Sequence, residues 1–189
     1  MSLIKKSLVA IFCFSFLSMA LNAKECISIN ELKIKWTSYK TLEKVAVNGS
    51  FDKVELISTK NKSTLQEALL NTKAKINLKN IDAYSNQKTD NILKYFVKNL
   101  KSSKVEAKIL KVNKKTMDIE FTLNEKSKVI PMKYKIAENK VIIKGVIDAQ
   151  DFDLVPALKI LNKEVSGHQN KGWFDIPIKL DLFYTKTCN

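Results

Sequence analysis

The amino-acid sequence predicts an all-β domain of eight or nine antiparallel strands with two or three short helices. Apolar residues alternate with polar ones over most of the chain, which is the pattern of strands that keep one face in water. Helical spacing, in contrast, occurs in only three short segments. Because so few helices cannot cover the apolar face of such a sheet, we expect it to close into a barrel or to pack as a two-sheet sandwich.

The composition is that of one globular domain. The chain has 189 residues, 45% of them hydrophobic, with four Gly and three Pro. A single folding unit usually has roughly 100–200 residues, and this share of apolar residues argues against global disorder. So few glycines and prolines exclude collagen-like and linker-rich architectures.

Residues 1–23 have the pattern of a secretory signal peptide. Lys5 and Lys6 precede an almost uncharged apolar run from Ser7 to Leu21, and Ala23 is a small residue suited to cleavage. The run is shorter than the ~20 residues that a spanning helix needs, so we favour cleavage after Ala23 over an uncleaved anchor. The mature domain would then comprise 24–189, and the protein would be exported.

Nine segments of the mature chain have the alternation expected of strands. In one of them Met117 and Ile119 alternate with Asp118 and Glu120, so that one face of the strand is apolar. Pro131 is expected to shift the phase of its own strand by one residue, as at a bulge or an edge. The predicted strands are 32–37, 43–48, 51–58, 73–81, 104–112, 117–123, 129–136, 141–143 and 176–184.

Three segments have the spacing of short helices. Thr64 and Glu67 fit a capping box before the first. The second begins near Thr89 and Asp90. The third runs over 151–161, where a proline at position 156 is expected to limit it to short turns.

The strong positive charge does not indicate a nucleic-acid-binding protein. The formal charge is +14, but all 33 basic residues are lysine. Arginine makes the bidentate contacts to phosphate and guanine on which most such interfaces depend. The aromatic residues also fall in phase with the apolar positions rather than among the lysines, whereas a nucleic-acid surface would interleave them. We interpret the lysines as a solvated exterior that also protects strand edges.

The sequence has no recognisable catalytic pattern. Its single histidine, His168, stands in a polar segment over 165–170 that we interpret as an exposed loop. One histidine and two cysteines do not make a zinc site, and no phosphate loop, dinucleotide fingerprint or nucleophile elbow is present. We therefore predict a protein that is not an enzyme and that needs no cofactor or metal.

The cysteines point to one disulfide. Cys13 belongs to the predicted signal peptide, which leaves Cys26 and Cys188 near the two ends of the mature chain. An exported protein with two cysteines is expected to pair them, and chain termini often lie close together in a compact domain. Two free thiols are the alternative.

Several segments, in their order along the chain, resemble the YceI-like, polyisoprenoid-binding family. Residues 36–51, WTSYKTLEKVAVNGSF, resemble its opening segment. Residues 74–82 and 91–97 resemble a family strand, its turn and the helix that follows. Residues 145–152 and 173–180 resemble the late strand, a D-F helix and the final strand.

The chain also departs from the commoner family pattern. Lys88-Thr89-Asp90 stands where an arginine usually precedes the aspartate, and the early histidine-serine pair of the family is absent. These departures concern contacts to a ligand head group more than the fold.

The resemblance implies a lipocalin-like barrel, exported to the periplasm, whose apolar interior holds an isoprenoid or other long-chain, fatty-acid-like amphiphile. Lys40 and Lys44 are candidates for an anionic head group, because a lysine stem can lie along an apolar wall while its amine reaches the entrance; solvated lysines are the alternative. The candidate lining residues, each of which could instead be ordinary core, are Trp36, Tyr39, Phe51, Phe96, Met132 and Trp173.

Two questions stay open at this level. An envelope interaction module with a filled barrel and no ligand is the alternative function. The oligomeric state is undetermined, with a homodimer among the alternatives.

Overall fold

The computed structural model describes residues 26–186; the predicted signal peptide and Cys188 lie outside these described residues. Within them, ten strands and three α-helices are present. The strands are β1 Ser28–Lys40, β2 Val45–Phe51, β3 Val54–Ile57, β4 Lys73–Asn77, β5 Ile81–Asp82, β6 Lys104–Val112, β7 Thr116–Leu123, β8 Lys126–Ala137, β9 Lys140–Asp148 and β10 Asp175–Thr185, and the helices are α1 Leu65–Leu69, α2 Asn86–Tyr95 and α3 Val155–Glu164.

All ten strands belong to one antiparallel sheet that curls into a half-barrel. The order across the sheet is β3-β4-β6-β7-β8-β9-β10-β1-β2-β5. The sheet curls far enough that the segment after β3 returns to β1, where the Ser58 hydroxyl donates to the Ile29 carbonyl at 2.9 Å. The Ile27 N–H also donates to the Lys62 carbonyl at 2.7 Å. The predicted all-β class with antiparallel strands is confirmed; the tenth strand is the two-residue β5.

The alternation of residues orients the strands as predicted, except at Pro131. In β7, Met117, Ile119 and Phe121 are buried and face the interior. In β8 the inward side chains alternate without interruption, and the register with β7 is unbroken. The predicted phase shift at Pro131 is therefore wrong. Because β9 pairs with β8 only from Lys133 onward, Pro131 faces outward where no ladder partner needs its missing N–H.

The lower end of the half-barrel, where β1 begins and β10 ends, is filled with side chains. Met117, Met132, Val141 and Ile143 are completely buried there. Helix α1 packs against β1 and β6 at this end. The Thr64 side chain caps α1 by accepting from the Glu67 N–H at 3.1 Å, in agreement with the predicted cap.

The upper end is covered by α2 and α3, which contact each other. Helix α2 begins at Asn86, three residues earlier than predicted. Helix α3 spans ten residues and contains Pro156 in its first turn. The expectation that Pro156 would limit this region to short turns is wrong, because a proline in the first turn removes an N–H that has no intrahelical partner anyway.

No helix within 26–186 combines the length and the apolar character needed to cross a membrane.

Candidate functional site

The upper half of the half-barrel encloses a cavity of about 470 Å³. Its walls are the inward-facing side chains of β1, β2, β4, β6, β7 and β10, and these are almost all apolar. Ligand sites in proteins typically have volumes of roughly 300–1,000 Å³ and mainly apolar walls. The cavity therefore has the size and character of a site for an apolar chain.

The two longer helices close one side of the cavity. Leu154, Leu158 and Leu161 precede or lie in α3 at a spacing of about one turn, so they share one helix face and point into the cavity. Ile92 and Phe96 do the same at the end of α2. The apolar faces of α2 and α3 therefore cover this cavity rather than packing onto a filled sheet.

Polar residues gather at one end of the cavity, where it reaches solvent. Lys40 ends β1, and Lys88 lies near the start of α2. Ser166 and His168 come from the turn after α3, which β1 holds in place: the Thr41 N–H donates to the Lys171 carbonyl at 3.2 Å. We call this end of the cavity, where Lys40 and Lys88 supply positive charge, the cationic mouth.

His168 is half-buried and held by a neutral partner. Its Nδ1 lies 2.8 Å from the amide oxygen of buried Asn162. Because that oxygen can only accept, Nδ1 carries the proton and Nε2 is the acceptor of the neutral ring. Burial, with a smaller contribution from the charge of Lys40, holds the pKa of His168 below its ordinary value of 6.5. The histidine that we interpreted as an exposed loop residue is thus part of the mouth.

Four of the six predicted lining residues stand on the cavity wall: Trp36, Tyr39, Phe51 and Phe96. Trp36 is fixed there because its indole N–H donates to the Ser50 carbonyl at 3.2 Å. Lys40, one of the two lysines predicted for a head group, also lines the cavity at its mouth. Ligand contact by these residues stays a prediction.

The structure places the other three predicted residues away from the wall. Met132 is completely buried in the filled lower end, next to Gly145. Trp173 donates its indole N–H to the Thr41 carbonyl at 2.9 Å. The Lys44 amine lies 4.1 Å from the Trp173 ring centre and 3.4 Å from an Asp175 carboxylate oxygen. Lys44 and Trp173 therefore lock the β1–β2 turn outside the cavity.

Sequence reasoning missed several residues of the mouth. Gln87, Lys88 and Asn91 line the cavity from α2. Their spacing over one helical turn was the available signal, since residues three and four apart share a helix face. Asn162 had no such signal, because its role depends on a histidine that reaches it from the following turn.

The mouth can attract an anion through the charges of Lys40 and Lys88. The Asn162 amide fixes the orientation of the His168 ring. Among residues 26–186, no three His, Cys, Asp or Glu side chains are grouped as metal ligands. What the site can do is bind an apolar chain and interact with a polar group at its end.

Comparisons with known proteins agree with this geometry. The sequence matches the model of the YceI-like domain over residues 27–180. No curated protein matches it.

Similar solved structures include a polyisoprenoid-binding domain from Saccharophagus degradans implicated in plant cell wall breakdown, with 13% identity, a TM-score of 0.61, and coverage of 87% of this chain and 99% of that one. Burkholderia cenocepacia BcnA has 12% identity and a TM-score of 0.55, covering 82% of this chain and 96% of that one. Campylobacter jejuni YceI protein has 14% identity and a TM-score of 0.54, covering 79% and 90%. At these identities the three structures support the fold alone.

Proposed function

The chain belongs to the YceI-like domain family, and from this premise we propose that it is an exported, non-catalytic binding protein that holds the tail of a long-chain amphiphile in its cavity. The observation that carries the proposal is the combination of one apolar cavity with a cationic mouth. The name of the Saccharophagus degradans relative, a polyisoprenoid-binding domain, supports an isoprenoid or similar chain as the ligand.

The apolar wall supplies the free energy of binding. Each methylene transferred from water to an apolar site contributes about 0.8 kcal/mol before ordering costs are deducted. An internal cavity of about 470 Å³ also weighs against the alternative of an interaction module with a filled barrel. A filled barrel would leave no such space.

The mouth favours a ligand whose head group is anionic. Lys40 of β1 and Lys88 of α2 both line the cavity. Helix α2 and the turn after α3 also supply neutral donors, Gln87, Asn91 and Ser166. A carboxylate or phosphate at the end of the tail would meet both kinds of donor.

The pattern of residues 1–23 supports export to the periplasm as part of the same proposal. A soluble carrier of a long apolar chain is useful where an amphiphile must cross an aqueous compartment. The proposed role requires no covalent step.

Binding of matched probes tests the proposal. Palmitic acid and palmityl alcohol have the same chain length and differ in the charge of the head group. We expect both to bind the mature protein in calorimetric titrations, with the acid favoured. We expect the double variant Lys40→Gln, Lys88→Gln to weaken the acid about fivefold, because a partly exposed ion pair contributes roughly 1 kcal/mol. The alcohol should be unaffected.

Lys44→Gln is the matched control, since it removes a lysine that lies outside the cavity. It should leave both affinities unchanged. Failure of both probes to bind, together with an organic extract of the purified protein that contains no stoichiometric amphiphile, would refute the proposed function. Equal losses for acid and alcohol would refute the anionic head group.

A further inference from the structure

The lower boundary of the cavity consists of two leucines that face two alanines. Leu32 of β1 and Leu180 of β10 lie on one wall, and Ala74 of β4 and Ala107 of β6 lie on the other. Ala74 and Ala107 are direct cross-strand partners. Because three strands, β7 to β9, separate these two walls in the sheet order, the curl of the half-barrel brings them face to face.

A second, smaller void lies immediately beyond this boundary. It has a volume of about 30 Å³ and shares all four boundary residues with the large cavity. Its remaining wall consists of four buried apolar side chains, Ile109, Ile119, Ile143 and Leu182, together with Thr72, Lys73 and Lys108. The four shared residues therefore stand between the two spaces.

We infer that Leu32 and Leu180 form a septum that sets the longest tail the protein can enclose. At about 30 Å³ for each non-hydrogen atom, the volume that one water takes in the liquid, the large cavity of about 470 Å³ holds roughly 15 carbon atoms. That is the tail of a common fatty acid or about three isoprene units. The inference rests on the proposed function, because it specifies the ligand of that same cavity.

The two alanines make the septum possible. Larger side chains on β4 and β6 would meet the leucines across the barrel and fill the space above them. The alanines leave room for the leucine tips. The position of the cavity floor therefore depends on these four side chains and not on the ends of β1, β6 and β10, because these three strands continue below it.

Chain-length selectivity tests the septum. The probes are the saturated acids from lauric through myristic, palmitic, stearic and arachidic to behenic acid, titrated into the mature protein. We expect affinity to rise about tenfold with each two carbons while they are being buried. The rise should stop near palmitic acid, at the chain length that fills the cavity.

Leu32→Ala opens the septum. It removes three carbon atoms and joins the small void to the cavity, so together they admit a tail longer by roughly four carbons. The end of the rise should then move from palmitic to about arachidic acid. Ala107→Val, which thickens the septum from the opposite wall, should move it down by about two carbons. Leu110→Ala is the matched control, because Leu110 lies in the same sheet with its side chain exposed on the outside.

The outcomes separate the septum from the proposed function. If the acids bind but a folded Leu32→Ala protein keeps the wild-type limit, the septum is overturned and the binding function stands. Should Leu32→Ala not fold, Ala107→Val decides alone: a shorter limit supports the septum and an unchanged limit overturns it. If no acid binds, the proposed function and the septum are both overturned.

Discussion

Gly49 allows the close approach on which one wall of the cavity depends. It lies in β2 directly opposite Trp36 of β1. A Cβ placed on Gly49 would overlap the Trp36 indole at Cζ2 and the carbonyl oxygen of Asp82 in β5. We therefore expect Gly49→Ala to destabilise the protein, although alanine normally stabilises an extended segment relative to glycine.

The expected loss in the free energy of unfolding follows from the atoms that a Cβ at position 49 would displace. Overpacking in a well-packed site typically costs 1–3 kcal/mol, and here one of the overlapped atoms belongs to the backbone and cannot rotate away. The indole cannot retreat without losing its hydrogen bond to the Ser50 carbonyl, a net contribution of about 1 kcal/mol. We expect the free energy of unfolding to fall by about 3–4 kcal/mol. For a domain of this length that lowers Tm by roughly 10 °C.

Urea unfolding followed by circular dichroism measures this loss. Gly145→Ala is the control, since the three atoms nearest to the added Cβ all belong to the side chain of Met132, with Cγ at 2.7 Å and Cε at 2.9 Å. An unbranched methionine adapts readily, so we expect a loss of about 1 kcal/mol. The reasoning would be refuted if Gly49→Ala lost less than about 1 kcal/mol, or if Gly145→Ala proved the costlier of the two substitutions.

Three further predictions concern the protonation of His168 and the pairing of two cysteines. The pKa of His168 is lowered in the folded protein. The contribution of His168 to stability is therefore complete above about pH 6.5 and is lost as the pH falls below that value. The variant His168→Asn should remove this part of the pH dependence of Tm, measured by thermal unfolding. A bound anion should raise the pKa of His168. Cetyl sulfate, whose charge does not titrate, should therefore bind a few-fold more tightly at about pH 5.5 than at about pH 7.5. An unchanged or weaker affinity at the lower pH would contradict the placement of His168 at the head group. Cys26 and Cys188 should form a disulfide, because they stand two residues before Ser28 and three residues after Thr185, which are partners in the β1–β10 pairing, and three residues span at most about 10 Å. We expect a mass about 2 Da below that of the reduced chain and a lower Tm after reduction. Two alkylatable thiols in the exported protein would contradict the disulfide.

The alternation of residues was enough to predict the fold class and most of the strands. A residue's inward or outward direction in a strand depends on its position relative to its immediate neighbours, which the sequence shows directly. Pro131 is the informative failure. A bulge and an unpaired edge both accommodate proline, and which of them applies depends on how far β9 extends beside β8.

The predicted lining residues that stand on the cavity wall are those that both face inward and lie in the upper half of the half-barrel. Trp36 and Met132 have the same apolar, inward-facing pattern, yet one lines the cavity and the other fills the lower end. Trp36 and Met132 differ in their height along the half-barrel. That height is set by the register of strands distant in sequence, which no local pattern contains.

The sequence by itself determined an antiparallel, all-β domain with a lysine-rich exterior and an apolar interior, because these properties follow from local alternation and composition. Only the tertiary structure decided that the interior is partly empty, where it ends, and which cations surround its opening. Leu32 and Ala107 are 75 positions apart, and Lys40 meets His168 only through the turn after α3. A cavity depends on the distance between such walls, and that distance is a property of the curled sheet.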